Sequence, residues 1–284
     1  MIEAYLLHII ILIAIYLMIG FGMNLLVCYG GLLNLGYLSC FAVSVYTTAI
    51  LSTAHFPLAL SISASIIASI CIASILAVAS TQLDSDYFAL ASFSMTIALW
   101  TLAKSMRITG GTEGISGIPH LPIIKTAGIA IGCSVLCFII TQRLLDSRFC
   151  RRLQAVRDHE LLAGVLGIDT TKTKAMAFIY ASILAGIAGI IYAHHISFVN
   201  PSIFGIHELI LILTIIFVGG PLSLKGTAIA GVLLITIPEI LRWLPMPASL
   251  EGPLKNIIYA VLLIGIITWR PQGLYARRKV QTSC

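Results

Sequence analysis

The segment Ala4-Tyr-Leu-Leu-His-Ile-Ile-Ile-Leu-Ile-Ala-Ile-Tyr-Leu-Met-Ile-Gly-Phe-Gly22 decides the fold of this chain. It opens a stretch from residue 4 to residue 83 that contains no Asp, Glu, Lys or Arg. A helix that crosses a bilayer needs about 20 apolar residues, and this stretch is several times longer. Because a soluble domain must present polar surface to water, the stretch predicts several consecutive transmembrane helices.

The whole chain has the composition of a multi-pass membrane protein. Of its 284 residues, 59% are hydrophobic and 10% are charged, whereas globular proteins average about 25% charged residues. We expect one all-α membrane domain over residues 1–284, a bundle of about eight to ten transmembrane helices. The net charge of +6 indicates cytoplasmic loops rich in Lys and Arg, not a nucleic-acid partner. The cluster at residues 277–279 predicts a cytoplasmic C-terminus.

Nine apolar segments are predicted to cross the lipid bilayer. Counting back from a cytoplasmic C-terminus places the charged block 143–174 in the cytoplasm and the loop 107–122 outside. The first region is long and rich in glycine, which allows a broken or re-entrant piece. The predicted spans are Ala4–Cys28, Gly31–Thr53, Phe56–Leu83, Tyr87–Lys104, Ile123–Gln142, Ala175–His194, Glu208–Val218, Thr227–Leu244 and Leu254–Trp269.

The charged block 143–174 contains the main candidate for an interaction surface. Its composition favours one helix from Arg151 to Leu166. Apolar residues recur at spacings of three, seven and three, which keeps them on one side of that helix; they are Leu153, Val156, Ala163 and Leu166.

Two interpretations of this amphipathic helix stay open. It lies on anionic lipid, or it docks into the groove of a partner protein. The mixture of acidic and basic residues around the apolar stripe favours the protein partner. Gly167 is placed to end the helix in a left-handed turn, and Asp169, Thr170 or Thr171 is placed to cap the next helix.

The segment Thr109-Gly-Gly-Thr-Glu-Gly-Ile-Ser-Gly-Ile-Pro119 is predicted to form a structured turn, because its four glycines and its proline disfavour a helix. The orientation count places this segment on the outer face of the membrane. It is either a plain connector or a functional loop at a substrate entrance, and the pattern does not separate the two.

Charged and amide side chains within the predicted spans are few. Asn24 and Asn34 lie deep in the N-terminal spans, and Glu208 lies near a span end. An ionised side chain at mid-bilayer costs about 2.5–3.5 kcal/mol, so hydrogen bonds between helices are favoured over an ion or proton path. The sequence has no Cys-x-x-Cys pair and no Walker A order of residues, so neither a metal site nor a nucleotide site is predicted.

Eight segments, in order along the chain, resemble the permease subunits of branched-chain amino-acid ABC importers of the LivM type. One of them is Arg157-Asp-His-Glu160 with Ala163 and Gly167, which resembles the cytoplasmic coupling segment of that family. The likeness runs from Asn24 to Leu274, nearly the whole chain. The other seven segments are Asn24–Gly36, Asp86–Leu90, Thr109–Pro119, Glu208–Ile210, Gly219–Gly226, Pro238–Glu239 and Arg270–Leu274.

The resemblance implies a multi-pass permease of the bacterial inner membrane, with a fold akin to the larger, type II-like ABC importers. It implies four partner chains in the membrane assembly and at its surfaces: a second homologous permease, two cytoplasmic ATP-binding subunits and a periplasmic or extracellular substrate-binding protein. ATP and Mg belong to the partner subunits, so this chain is expected to be a non-catalytic subunit without a cofactor.

The resemblance also assigns roles to residues. Block 143–174 becomes the coupling segment, and the residues expected to contact the ATP-binding subunits are Arg151, Arg152, Arg157, Asp158, Glu160, Ala163 and Gly167. The residues expected at an outer gate or along the substrate pathway are Asn24, Asn34, Gly110, Gly111, Gly114, Gly117 and Glu208.

Departures from the family pattern leave the substrate open. Because similar permeases handle urea or short amides, these compounds stay alternatives to branched-chain amino acids. A passive channel and a proton-coupled carrier are more distant alternatives: the first leaves the amphipathic helix without a role, and the second requires buried carboxylates. The departures are Cys28, Tyr37, Ser44 and Thr227, where the family usually has Gly, His, Gly and Pro.

Overall fold

The structure is a computed structural model that describes residues 2–119, 121–201 and 205–241, together with residues 257, 260, 261, 264, 265 and 268. Over these residues the chain is a bundle of helices with one pair of short strands. The predicted span Leu254–Trp269 lies mostly outside the described residues, and the basic cluster at 277–279 lies wholly outside them.

The elements follow the chain in this order: α1 (Ile2–Asn24), a π-helix (Leu25–Tyr29), α2 (Tyr37–Thr53), α3 (Leu58–Gln82), α4 (Ser85–Ser105), β1 (Ile115–Ser116), α5 (Ile123–Leu145), α6 (Arg148–Asp158), α7 (Glu160–Val165), α8 (Thr170–Ile196), β2 (Phe198–Val199), α9 (Ile206–Gly219) and α10 (Leu224–Leu241). Five of them, α1, α3, α4, α5 and α8, are long and apolar enough to cross a membrane. Together with the shorter apolar helices α2, α9 and α10, they correspond to the first eight predicted spans.

Two predicted span boundaries were wrong by several residues. α8 begins at Thr170 rather than Ala175, so its first turn lies in the charged block. α2 begins at Tyr37 rather than Gly31, because the chain from 30 to 36 is not helical. Hydropathy does not distinguish an apolar helix from apolar irregular chain, so the uncharged sequence alone hides this break.

The irregular segment 30–36 is buried in part, at Asn34 and Gly36 among others, and side chains replace the hydrogen bonds of a helix there. The Leu35 backbone N–H donates to Ser92 Oγ of α4 at 3.1 Å, and Thr96 Oγ1 of α4 donates to the Leu35 carbonyl at 3.2 Å. The Gly36 N–H donates to Asn34 Oδ1 at 2.9 Å. Non-helical backbone at membrane depth is tolerated where protein surrounds it, so the predicted broken piece is confirmed between α1 and α2.

Small residues let the central helices approach closely. A Cβ atom on Gly22 of α1 would lie 2.1 Å from Tyr37 Oη, and one on Gly189 of α8 would lie 2.9 Å from the Ser44 side chain of α2. Lipid gives helices no hydrophobic reason to associate, so such contacts and polar bonds hold the bundle together.

Ser69 joins three helices near the middle of the bundle. Its side-chain hydroxyl, on α3, lies 3.1 Å from the Cys40 carbonyl of α2 and 2.9 Å from the Ser182 carbonyl of α8. Ser65, one turn earlier on α3, shares a hydrogen bond of 2.8 Å with Thr48 of α2. The helices α2, α3 and α8 are therefore cross-linked by side-chain hydrogen bonds.

The bundle has two ends with different structures. At one end, α6 and α7 connect α5 to α8; we call it the α6–α7 end. At the other end, β1 precedes α5 and β2 follows α8, and the two strands pair antiparallel, Ile115 with Val199 and Ser116 with Phe198. We call this the β1–β2 end.

Candidate functional site

The charged block folds into two helices, not one. α6 ends at Asp158, α7 begins at Glu160, and His159 between them is extended, with φ −154° and ψ 93°. The prediction of one helix from Arg151 to Leu166 was therefore wrong. In a continuous helix Arg157 and Glu160 would share a face; the break instead lets them contact different transmembrane helices.

The apolar stripe is confirmed for three of its four residues. Leu153, Val156 and Ala163 are buried. Leu166 is 79% exposed and does not continue the stripe. With the exposed side chains of Leu161, Leu162 and Val165, it forms an apolar surface on α7 that we call the α7 surface. Four exposed aliphatic side chains on so short a segment fit contact either with a partner protein or with a lipid surface.

Arg157 joins α6 to the end of the first membrane helix. Its Nη1 donates to the Cys28 carbonyl of the π-helix at 2.6 Å. Its Nε and Nη2 donate to Asp158 Oδ1 at 3.0 and 2.9 Å. Gly31 has φ +67°, and a Cβ atom there would lie 2.3 Å from Arg157 Cγ. Glycine at position 31 thus makes room for the arginine stem.

Glu160 joins α7 to two membrane helices through a lysine that the sequence did not single out. Lys174 Nζ on α8 lies 2.7 Å from Glu160 Oε1 and donates to Oε2 at 2.8 Å. The same Nζ donates to the Ser80 carbonyl near the end of α3 at 3.2 Å. The Lys174 side chain is only 8% exposed. No sequence signal distinguishes this lysine from the other cations of the block, because its partner Ser80 is distant in sequence.

The turn after α7 and the start of α8 have the predicted geometry. Gly167 has φ +82°, a left-handed conformation that suits glycine. Asp169 caps α8, because its Oδ1 accepts the Lys172 N–H at 2.9 Å. The pKa of the Asp169 carboxyl group is lowered, chiefly by this backbone hydrogen bond and to a smaller extent by the hydrogen bond from the Lys172 side chain. Arg151 and Arg152 on α6 are exposed.

The glycine-rich loop at the β1–β2 end is tightly built. Gly110, Gly111, Gly114 and Gly117 all have positive φ. A Cβ atom on Gly110 would lie 2.0 Å from the Gly114 carbonyl oxygen, and one on Gly114 would lie 2.3 Å from the Val199 carbonyl oxygen. The predicted structured turn is confirmed: Gly110 and Gly114 are in close contact with each other, and Gly114 is also in close contact with β2.

Asn24, Asn34 and Glu208 make separate contacts. Asn24 Nδ2 donates to Thr227 Oγ1 of α10 at 2.8 Å, and Glu208 accepts a short hydrogen bond from Tyr16 Oη of α1. Among the described residues, Asn24 Oδ1 and Asn34 Nδ2 are buried without a hydrogen-bond partner. Hydrogen bonds between helices therefore explain how the Glu208 carboxylate and the amide nitrogen of Asn24 are accommodated in the bundle.

A cleft of about 340 Å³ separates α4 from the start of α9. Small-molecule sites typically measure about 300–1,000 Å³. The lining is mainly apolar, with a hydroxyl, an indole and an imidazole among it; it includes Phe93, Thr96, Ile97, Trp100, His207 and Leu209.

The described residues form a helical membrane bundle with a separate helical segment, α6 and α7, at one end. This chain belongs to the family of branched-chain amino acid transport systems, permease component, whose pattern matches residues 5–267. The resemblance found in the sequence is thereby confirmed, and the chain is a multi-pass membrane protein.

Two relatives illustrate the match. The chain is similar to the high-affinity branched-chain amino acid transport system permease protein LivM of Salmonella typhimurium (strain LT2), with 28% identity over 306 residues that cover 94% of this chain and 69% of the relative. It is also similar to LivH, a permease protein of the high-affinity branched-chain amino acid transport system in the same organism, with 26% identity over 196 residues that cover 69% of this chain and 61% of LivH.

A solved structure shares the fold. PsaBC from Streptococcus pneumoniae in complex with Fab matches with a TM-score of 0.51 and 14% sequence identity, covering 93% of this chain and 91% of that chain. At this identity the likeness concerns the fold alone.

The residues that depart from the family pattern make specific contacts between helices. Tyr37 Oη donates to the Ala181 carbonyl of α8 at 2.9 Å, and Ser44 Oγ donates to the Gly186 carbonyl at 2.8 Å. Thr227 accepts the hydrogen bond from Asn24. These departures therefore change how α2 and α10 are held against their neighbours.

Proposed function

We propose that this chain is a permease subunit that moves branched-chain amino acids across a bacterial inner membrane, using ATP hydrolysed in partner subunits. The observation that carries the proposal is the α6–α7 segment. It exposes an apolar surface, and polar bonds fix it to the ends of α1, α3 and α8. A segment of this kind suits the transfer of a partner's movement to the membrane helices.

The α6–α7 end faces the cytoplasm in this proposal. The charged block and the C-terminal basic cluster then lie on the side where Lys and Arg accumulate. The β1–β2 end, with its compact glycine loop, faces the substrate-binding protein. Two ATP-binding subunits, which bind ATP and Mg, and a second homologous permease complete the assembly; the relatives LivM and LivH, two permease proteins of one system in the same organism, support such pairing.

One of the two ATP-binding subunits contacts the α7 surface in this assembly, and the other contacts the second permease. Leu161 and Val165 are both 86% exposed, and burying such side chains favours association by about 25 cal/mol per Å². Arg157 and Glu160 lie behind this surface and connect it to the membrane. A shift between outward and inward openings is then a two-state change that nucleotide binding biases.

A branched aliphatic amino acid is the substrate that the relatives' names support. The mainly apolar cleft between α4 and α9 is consistent with an aliphatic side chain. Urea and short amides are the competing substrates, because Tyr37, Ser44 and Thr227 depart from the family pattern in the bundle.

Reconstitution tests the proposal. The chain is purified with the permease and the ATP-binding subunits encoded beside it, placed in proteoliposomes and supplied with the binding protein and labelled leucine. Uptake is expected only with ATP, and unlabelled isoleucine and valine should compete while urea and acetamide should not. Competition by the amides alone would assign the alternative substrate. Uptake without ATP or partner subunits would show a passive channel, and uptake driven by a pH gradient would show a carrier.

The double variant Arg157→Glu with Glu160→Lys tests the coupling segment in the same assay. The first change turns a carboxylate toward the Cys28 carbonyl oxygen. The second places an ammonium group beside the ammonium group of Lys174, so that like charges face each other. We expect leucine uptake to be abolished while the subunit stays in the membrane. Full uptake by this variant would remove the coupling assignment.

A further inference from the structure

We propose that Lys174 is a positioning residue that carries movement of α7 to α3. This inference rests on the proposed function, and it adds to the coupling segment a residue without an assigned role, Lys174, and a receiving helix, α3. The segment then acts on two membrane helices: α6 through Arg157 on the end of α1, and α7 through Glu160 and Lys174 on the end of α3.

The environment of Lys174 supports a specific role. A buried ammonium group is costly unless it is paired and hydrogen-bonded. Lys174 meets that requirement with both carboxylate oxygens of Glu160 and with the Ser80 carbonyl. Because Glu160 is on α7, Lys174 on α8 and Ser80 on α3, the ammonium group is the point where three helices meet.

α3 is placed to pass a displacement on. Ser80 lies in its last turn, next to the α6–α7 end. Further along α3, Ser69 bonds to α2 and α8, and Ser65 bonds to α2. A shift of the Ser80 end therefore acts on helices that are cross-linked to α3 deep in the bundle.

The break at His159 separates the two connections. Arg157 lies before it and contacts the π-helix at Cys28, whereas Glu160 lies after it and contacts Lys174. His159 is extended, so Arg157 and Glu160 do not share one helix face and make their contacts at separate points of the membrane bundle. Movement of the segment therefore acts on α1 and on α3 through different contacts.

A neighbouring lysine provides a matched control. Lys172 also pairs with an acidic residue, since its Nζ lies 2.9 Å from Asp169 Oδ2. Its side chain is 79% exposed, and the pair spans a single turn of chain. Exposed pairs of this kind contribute little, so Lys172→Met is expected to leave transport unchanged.

The experiment measures leucine uptake and ATP hydrolysis in proteoliposomes that contain the assembled transporter. We expect Lys174→Met to lower the uptake per ATP hydrolysed by about tenfold, within the usual range of coupling between sites. Lys172→Met should keep the wild-type ratio. The exchange variant, Glu160→Lys with Lys174→Glu, re-forms the pair with reversed charges but leaves no donor for the Ser80 carbonyl, so its ratio should stay low.

Several results would overturn the inference. These are an unchanged ratio in Lys174→Met, or an exchange variant that regains the wild-type ratio although it cannot donate to the Ser80 carbonyl. If Lys174→Met fails to assemble, Glu160→Gln decides, because it keeps the shape of Glu160 and removes its charge; an unchanged ratio there overturns the inference too. Absence of uptake by the wild-type assembly would instead contradict the proposed function, so the two failures are distinguishable.

Discussion

The Cβ atom that Gly31 lacks would lie 2.3 Å from Cγ of Arg157. The arginine stem therefore passes directly over the glycine on its way to the Cys28 carbonyl, with which its guanidinium makes a bond of 2.6 Å. The Arg157 side chain therefore joins the end of α6 to the end of the first membrane helix. This contact ties the geometry of the break after α1 to the position of the charged segment.

Gly31→Ala is expected to displace Arg157 and to uncouple transport. The new methyl group would also strain a left-handed backbone, at a cost of about 1–2 kcal/mol. Gly128→Ala on α5 is the control, since a Cβ atom there meets nothing within 4 Å. Uptake per ATP hydrolysed should fall in Gly31→Ala and hold in Gly128→Ala. Equal ratios in the two variants would show that the arginine contact has no role in coupling.

Polar substitution of the α7 surface is expected to weaken binding of the ATP-binding subunits. Leu161→Ser with Val165→Ser removes two of its four aliphatic side chains, and we expect the affinity to fall by about tenfold or more. Ile108→Ser is the control, because Ile108 is 73% exposed near the β1–β2 end. Co-purification and binding of the isolated ATP-binding subunit measure the effect. Unchanged affinity in the double variant would contradict the docking assignment.

The loop at the β1–β2 end should not accept a methyl group at Gly114. The Cβ atom would lie 2.3 Å from the Val199 carbonyl oxygen, and backbone cannot move aside as a side chain can. We expect Gly114→Ala to destabilise the subunit by about 2–4 kcal/mol, combining backbone strain with overpacking. Thermal loss of the helical circular dichroism signal in detergent measures this destabilisation. Gly117→Ala is the control, because it introduces the backbone strain without a close contact. A smaller loss in Gly114→Ala than in Gly117→Ala would refute the close contact.

Ser69→Ala tests the hydrogen bonds that join α2, α3 and α8. It removes one hydroxyl that contacts two carbonyl groups, and we expect a loss of about 1 kcal/mol in the free energy of unfolding. Ser74→Ala is the control on the same helix, because the exposed Ser74 hydroxyl bonds only within α3, to the Ile70 carbonyl. The same thermal assay compares them. An equal loss in both variants would mean that the bonds across helices add no stability.

Much of the fold was predictable because charge and length suffice to locate membrane helices. The eight described spans follow the predicted order, and Gly167 and Asp169 end and begin helices as their residue types indicate. These features depend on local chemistry: a left-handed turn needs glycine, and a helix start needs a side-chain acceptor. The roles assigned to the coupling and pathway residues stay predictions.

What the sequence hid depends on contacts between distant parts of the chain. No Pro or Gly marks the break at His159; there, Arg157 and Glu160 have partners on different helices. Lys174 is buried because Ser80 and Glu160 surround it, and neither neighbour is visible from its local sequence. Leu166 fits the helical spacing of the apolar stripe but follows the break, so it is exposed.

The irregular segment 30–36 also constrains how the protein is made. Its Leu35 peptide group bonds to Ser92 and Thr96, which belong to α4. During synthesis this peptide group leaves the ribosome long before those hydroxyls exist in the membrane, and lipid offers no substitute partner. The first two spans therefore reach their mature arrangement only after the fourth has been inserted, and biogenesis of the N-terminal region is completed from downstream sequence.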